Sequence, residues 1–409
     1  MTPSEPPDVT AVRPWLLRPR QGVQPTTSTE LFFDLVFVFS ITQLSHYLIE
    51  HPDWRGALRT ALLLALVWFV WIYTTWVTNW LQPDQGPVRA MLIGVTLGSL
   101  SLSAAIPQAF DGTGLLFAVV YVSVQVGRTM FALWATRGSP WLVSGFQQSL
   151  PWIAGTSVLM VLGGLVGPVA REALWAAVIV IEVVGLWIGY PLPRRGRSRP
   201  ERWMVEGGHL ADRCGAFVLI ALGESILVTG GTLTRHVDLV TFGAFLLAFA
   251  GSVALWWVYF ARSAAAATEV VAQAGERTGA LSRVAFNYLH PVIVAGVIVA
   301  SAGDERLLAE PGAPTTTVAA LFLLGGPALF LAGHAAYKML LWRRPPTSRI
   351  TAVVVLLALI PVVVGSGAPV AVCASAALVV TIAVIVIDQV AVREGARVAQ
   401  SRGPRSPLR

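Results

Sequence analysis

Apolar runs of roughly 17–25 residues, the length that crosses a hydrocarbon core, recur along this chain from Glu30 to Ala391. A stretch of that length with few charges reads as a membrane-spanning helix. Composition agrees: 55% of the 409 residues are hydrophobic and 12% charged, against roughly 25% charged in soluble domains. Breaks at charged or Gly/Pro-rich positions divide the runs into about twelve helices. Their limits are near 30–49, 56–80, 88–107, 114–136, 147–166, 172–190, 211–230, 239–261, 280–301, 316–341, 350–365 and 369–391. The eleventh is short and contains Pro361.

Charge sets the orientation. With both termini inside, about 23 of the Lys and Arg residues fall in cytoplasmic segments and about 5 in external loops, which leaves Arg128 within a span. The richest cytoplasmic segment is "RRGRSRPERW", residues 194–203, between the sixth and seventh helices. The net charge of +7 therefore reflects orientation signals at span ends rather than a nucleic-acid surface. Residues 1–27 are rich in Pro, Thr and Arg and lack the apolar core of a signal peptide. They read as a disordered cytoplasmic lead-in, and residues 393–409 as a basic cytoplasmic tail. Cys214 and Cys373 lie far apart inside apolar runs, so neither a disulfide framework nor a thiolate metal site is expected.

The Arg-rich linker at 194–204 separates two halves, 28–193 and 205–392. "AVIVIE" at 177–182 recurs as "AVIVID" at 383–388, each ending in a carboxylate, Glu182 or Asp388. "VWIYTTW" resembles "WWVYFAR", matching Trp71 and Tyr73 to Trp257 and Tyr259. Glu30 matches Asp212 at the start of its helix. The three pairs keep one order, and six spans per half give both halves one orientation. The expected fold is thus an all-α polytopic membrane protein of about twelve transmembrane helices, arranged as two parallel six-helix repeats.

Ionisable residues inside spans cost about 2.5–3.5 kcal/mol on insertion scales and usually face protein or water. In "STELFFDLVFVFSITQLSHYLIE", residues 28–50, Glu30, Asp34, Thr42 and Ser45 share a wedge of roughly 120°. Such a wedge can line a cavity, bind a cation or relay protons. Glu30 also sits at a helix start, where a cap and the helix dipole account for an anion; Asp34, one turn deeper, has no such explanation. In "EGGHLADRCGAFVLIALGESILVTGG", His209 and Arg213 are one turn apart. Glu224 is eleven residues beyond Arg213 on nearly the same face, about 16 Å along the axis, so its partner must come from elsewhere. Arg128 is a natural counter-charge for Asp34 or Glu224. In "NYLHP", Pro291 frees a carbonyl about four residues earlier, beside Asn287 and His290. Glu182 and Asp388 lie near cytoplasmic span ends, where snorkelling competes with a pathway role.

No Walker loop, dinucleotide fingerprint, HExxH or Cys/His metal pattern is present, and no nucleophile–base or paired-aspartate arrangement stands out. No enzymatic activity and no cofactor is expected.

"ELFFDLVFVFSITQLSH" and "HLADRCGAFVLIALGES" resemble the two signature segments of the bacterial low temperature requirement A (LtrA) proteins. The second typically runs H-x-x-E-R-x-G-x-F-x-x-x-x-L-G-E-S, and Asp212 stands where Glu is usual. The resemblance covers roughly residues 25–392. It implies a multi-pass protein of the bacterial plasma membrane, both termini cytoplasmic by the charge asymmetry, in a family named for a cold-growth phenotype and without a settled activity. Over the first helix alone, "FFDLVFVFSIT" is also similar to the F-S-D-x-x-x-A-I-x-x-T motif of a potassium-channel family with six-helix repeats: Phe32, Asp34 and Thr42 match, Phe33, Val38 and Phe39 do not.

The leading expectation is a permease or channel in the lipid bilayer for a cation, proton or small solute, with no nucleic-acid partner. Its pathway would use carboxylates on the first and seventh helices. The alternative is a non-transporting scaffold, sensor or lipid-interacting factor that supports growth in the cold.

Overall fold

The computed structural model describes residues 13–19, 25–198, 205–233, 238–261 and 263–401. Residues 1–12 and 20–24 of the lead-in, 199–204 of the linker and 402–409 of the tail lie outside the described residues. The described chain is helical, without β-strands beyond isolated bridges.

The helices are α1 Ser28–Glu50, α2 Trp54–Trp80, α3 Gly86–Ala105, α4 Gly114–Ala135, α5 Pro140–Leu165, α6 Pro168–Ile188, α7 Gly207–Leu233, α8 Leu239–Phe260, α9 Ser263–Ala272, α10 Thr278–Ser282, α11 His290–Ala309, α12 Thr317–Leu323, α13 Gly325–Trp342, α14 Thr347–Ser366 and α15 Val370–Ser401. A π-helical segment, Arg283–Leu289, joins α10 to α11. Among the described residues, ten helical stretches are long and apolar enough to cross a membrane. These are α1 to α5, α8, the continuous α10–α11 and α12–α13 stretches, α14, and α15 as far as Ala391. α6 and α7, with 21 and 27 residues, have spanning length but stand outside that set. Both carry charges, Arg171, Glu172 and Glu182 in one and Asp212, Arg213 and Glu224 in the other.

Part of the presumed lead-in is ordered. Residues 13–19 hold a short 3-10 turn, Pro14–Leu16. Arg18 N donates to Trp80 O at 2.9 Å and Gln82 N to Leu16 O at 2.8 Å. Leu16 is fully buried against Val77, Leu81, Val88, Ala132 and Ala135. Composition predicted disorder because Pro and Arg dominate the segment; one leucine, the Trp80 carbonyl at the end of α2 and the Gln82 N–H just beyond it supply the anchor.

The chain divides into two compact units, residues 1–221 with 266–291, and residues 222–265 with 292–409. This partition follows packing and does not coincide with the halves on either side of the Arg-rich linker. In the first unit, α1 packs on α3, α4 on α3 and α5, and α5 on α6. Its centre is α2, whose apolar window is 83% buried, as expected of a helix apolar on every side. Trp68 and Trp71 of α2 meet the Phe217 ring of α7 edge-on, with the Trp71 and Phe217 rings 4.7 Å apart, and Phe217 in turn meets Phe37 of α1.

In the second unit, α15 packs on α8, α14 on α13 and α15, and α12 on α14 and α15. Only 22% of the apolar window of α14 is buried, so most of it is left for lipid. Glycines bring α11 and α13 into backbone contact. A Cβ at Gly326 would lie 2.5 Å from Ala300 N, and one at Gly296 would collide with Phe330 N. Small residues that let backbones meet are the usual means of helix association in lipid.

Candidate functional site

Thr27 caps α1, and its hydroxyl and backbone exchange hydrogen bonds with Glu30 in a capping box. Glu30 is therefore a cap, as its position predicts. It is also more than a cap. Its Oε2 accepts from Arg18 Nη2 at 2.9 Å, and its Oε1 from Arg213 Nη1 at 2.9 Å and from the His209 ring at 3.0 Å. One turn on, Asp34 accepts from Arg213 Nε and Nη2 at 2.9 and 2.6 Å and from Trp71 Nε1 at 2.7 Å. Arg213 Nη1 also meets Thr78 Oγ1 at 3.3 Å. Glu30, Asp34 and Arg213 have no exposed surface, and His209 has 1%.

The proton on His209 follows from its neighbours. Asn79 Oδ1 accepts from Glu206 N at 3.0 Å, so its amide nitrogen faces His209 Nδ1 at 3.2 Å. Nδ1 is thus an acceptor, Nε2 donates to Glu30, and the ring is neutral. Two arginines then balance two carboxylates, and each carboxylate oxygen has at least one donor. The cluster is a sealed ionic clamp joining α1, α2, the start of α7 and the segment at Arg18.

The partner of Asp34 is Arg213, not Arg128. Arg128, 3% exposed, sends only Nη1 to oxygens, Val70 O and Thr74 Oγ1, both at 3.4 Å. Its guanidinium carbon lies 5.4 Å from the centre of the Tyr73 ring. Glu182 is buried rather than snorkelling: Oε1 accepts from Thr156 Oγ1 at 2.7 Å and Oε2 from Tyr73 OH at 3.0 Å. Tyr73 OH also meets Tyr190 OH at 2.9 Å.

Pro291 follows an irregular stretch of helix. The chain before it takes a π register, in which His290 N donates to Ala285 O, five residues back. Such segments recur at functional positions. Asn287 donates to Arg283 O at 3.1 Å and accepts from Trp76 Nε1 at 3.3 Å. The His290 ring meets Ala285 O at 2.8 Å. Arg283 caps the end of α6 through Leu186 O and Trp187 O.

Asp212 is exposed and only loosely bonded by Thr268 Oγ1 at 3.4 Å, unlike the buried Glu30 to which the sequence matches it. Glu224 is buried and belongs to the second unit. In that unit Asp388 pairs with Arg349, with 2.7 Å between Nη2 and Oδ2, and accepts from Ser348 Oγ at 3.1 Å. The next residue after Glu224, Ser225, donates to Asp304 Oδ2 at 3.1 Å and lies 3.2 Å from Ser252 Oγ. Ser225, Ser252, Asp304 and Thr381, from α7, α8, α11 and α15, line a cavity of about 40 Å³. Asp304 makes no ion pair among the described residues.

Sequence reasoning missed Arg18, hidden in a polar lead-in, and Asp304, assigned to a loop because Glu305 and Arg306 follow it. α11 continues to Ala309. It also missed Trp71, Thr78 and Asn79 as clamp partners, although the run of polar residues closing α2, Thr74, Thr75, Thr78 and Asn79, is a visible signal in a buried helix.

The chain belongs to the bacterial low temperature requirement A protein (LtrA) family, whose description matches residues 26–386. It is 36% identical over 338 residues to an uncharacterized protein of Rhizobium meliloti (strain 1021), covering 82% of this chain and 81% of that one. No solved structure gives a significant match.

Proposed function

We propose that this member of the LtrA family is a multi-pass permease or channel of the bacterial plasma membrane that moves a small cation or proton, and that it is not an enzyme. The observation that carries the reading is Asp304: a carboxylate without an ion-pair partner among the described residues, on a cavity lined with three hydroxyls from three other helices. Carboxylate and hydroxyl oxygens are the ligands that hard cations prefer, and an intramembrane acid is the usual element of a proton relay. Glu224 precedes Ser225 on α7 and is buried, but it does not line this cavity. The topology that goes with the reading is twelve spans with both termini cytoplasmic, α6 and α7 joining the ten more apolar stretches, and two parallel six-helix repeats.

In this reading Glu30, Asp34, His209 and Arg213 hold the scaffold and do not conduct. That same clamp favours the second reading, a non-transporting scaffold, sensor or lipid-interacting factor, since sealed carboxylates have no site left for a cargo.

Purified protein in liposomes separates the two. Transport predicts cation- or proton-dependent flux that falls at least tenfold in Asp304→Asn. Folded wild-type protein that carries nothing across a panel of alkali cations, protons and small solutes contradicts it and leaves the scaffold reading.

A further inference from the structure

The first unit contains a second cavity that neither the clamp nor the Asp304 pathway uses. It measures about 90 Å³, is half-open, and is lined by α2, α4, α5 and the end of α6. Its walls are mostly apolar, with the aromatic Tyr73, Trp80, Trp141 and Phe146 among the lining side chains. Most polar atoms on the wall are already engaged. Tyr73 and Tyr190 bond each other, Thr129 Oγ1 donates to Gln125 O at 2.7 Å, and Ser149 Oγ donates to Phe146 O at 3.2 Å.

Arg128 is the exception. It lines the cavity, it is 97% withdrawn from solvent (3% exposed), and its two hydrogen bonds are both 3.4 Å long and both use Nη1. Its Nε and Nη2 donate to nothing among the described residues, and no carboxylate lies within ion-pair distance of it there. Glu182 is not on the cavity wall, and its two oxygens are taken by Thr156 and Tyr73. A buried guanidinium with one edge unused is costly. Nε and Nη2 form the parallel pair of donors that fits a planar carboxylate with two bonds.

We propose that this cavity binds a short-chain monocarboxylate, its carboxylate on Arg128 Nε and Nη2 and its alkyl end against the apolar wall. The modest volume suits a small ligand, an acid of about two to four carbons. The mostly apolar wall disfavours a bare inorganic anion, which would have few hydrogen-bond donors there besides Arg128.

The test is equilibrium binding of radiolabelled propionate to the full-length protein in nanodiscs. Saturable binding is expected, displaced by unlabelled propionate and butyrate but not by propionamide or propylamine. Arg128→Gln should weaken it at least tenfold, and Arg128→Lys, which keeps the charge but lacks the paired donors, should also weaken it. Gly145 lines the cavity with open space where a Cβ would sit, so Gly145→Leu should abolish binding without touching Arg128, and it serves if the arginine variants fail to fold. Equal displacement by propionamide, displacement by chloride as effective as by butyrate, or unchanged binding in Gly145→Leu overturns the proposal. Cation flux through Asp304 is read separately, so either result stands whichever way the other falls.

Discussion

Arg213 holds Asp34 through Nε and Nη2, at 2.9 and 2.6 Å, and spends its remaining nitrogen on Glu30 at 2.9 Å. One guanidinium thus neutralises two carboxylates a helical turn apart, and it reaches them from a helix nearly two hundred positions later in the chain.

Removing that arginine leaves two buried anions with Arg18 as the one cation still bonded to them among the described residues. Breaking a buried ion pair on one side costs about 3–5 kcal/mol. Arg213→Gln should therefore lose about that much, read as a shift in chemical unfolding of the detergent-solubilised protein. Asp34→Asn in the same chain should restore part of it, because partners in one network do not add. Strictly additive losses would mean that the two residues do not interact.

Trp71 supplies one hydrogen bond to Asp34 and a ring to the aromatic cluster. Trp71→Phe keeps most of the cluster and deletes the N–H. A hydrogen bond to a charged group is worth about 1.5–3 kcal/mol, so the loss should be measurable and smaller than that of Arg213→Gln. Unfolding midpoints of the two variants side by side give the comparison.

Leu16 is fully buried in a segment whose composition promised disorder. Truncating a buried leucine costs about 2–5 kcal/mol. Leu16→Ala should lower the thermal unfolding temperature, and deleting residues 2–19 should lower it further by also removing Arg18 from Glu30. A deletion with an unchanged melting curve would show that the segment is not anchored.

Gly326 sits where α13 touches the backbone of α11. Gly326→Leu forces the two helices apart, and overpacking of this kind costs about 1–3 kcal/mol or more. The expected outcome is a lower unfolding temperature and less monodisperse protein on size exclusion; an unchanged profile would contradict the backbone contact.

Ten of the expected spans and the motif residues were legible because hydrophobic length is a local property, while α6 and α7 fall outside the set of long, apolar helices. Most predicted limits fall within a few residues of the helices, although α5 starts at Pro140, seven residues before its predicted limit, α11 and α15 run to Ala309 and Ser401, past predicted ends at 301 and 391, and α9 was not foreseen. Partnership was not legible. Arg128 and Arg213 are both basic residues near polar helices, and only packing decides which meets Asp34. Helix seven did betray itself in part, since His209 and Arg213 are one turn apart and so are Glu30 and Asp34. Two matched ladders, a histidine donor and an arginine against two carboxylates, are a pairing signal that was available to a closer reading. Asp304 was lost for a different reason: three charged residues in a row read as a loop, yet the helix carries the first of them onto the wall of a cavity.

The measurement that bears most directly on the whole account is flux per folded molecule in proteoliposomes, compared between the Asp34→Asn/Arg213→Gln pair and Asp304→Asn. The account predicts that the clamp pair lowers the yield of folded protein but leaves flux per folded molecule within about twofold, while Asp304→Asn folds normally and loses at least tenfold, about 1.4 kcal/mol or more on the barrier. The reverse pattern, flux surviving without Asp304 and vanishing with the clamp, would contradict it.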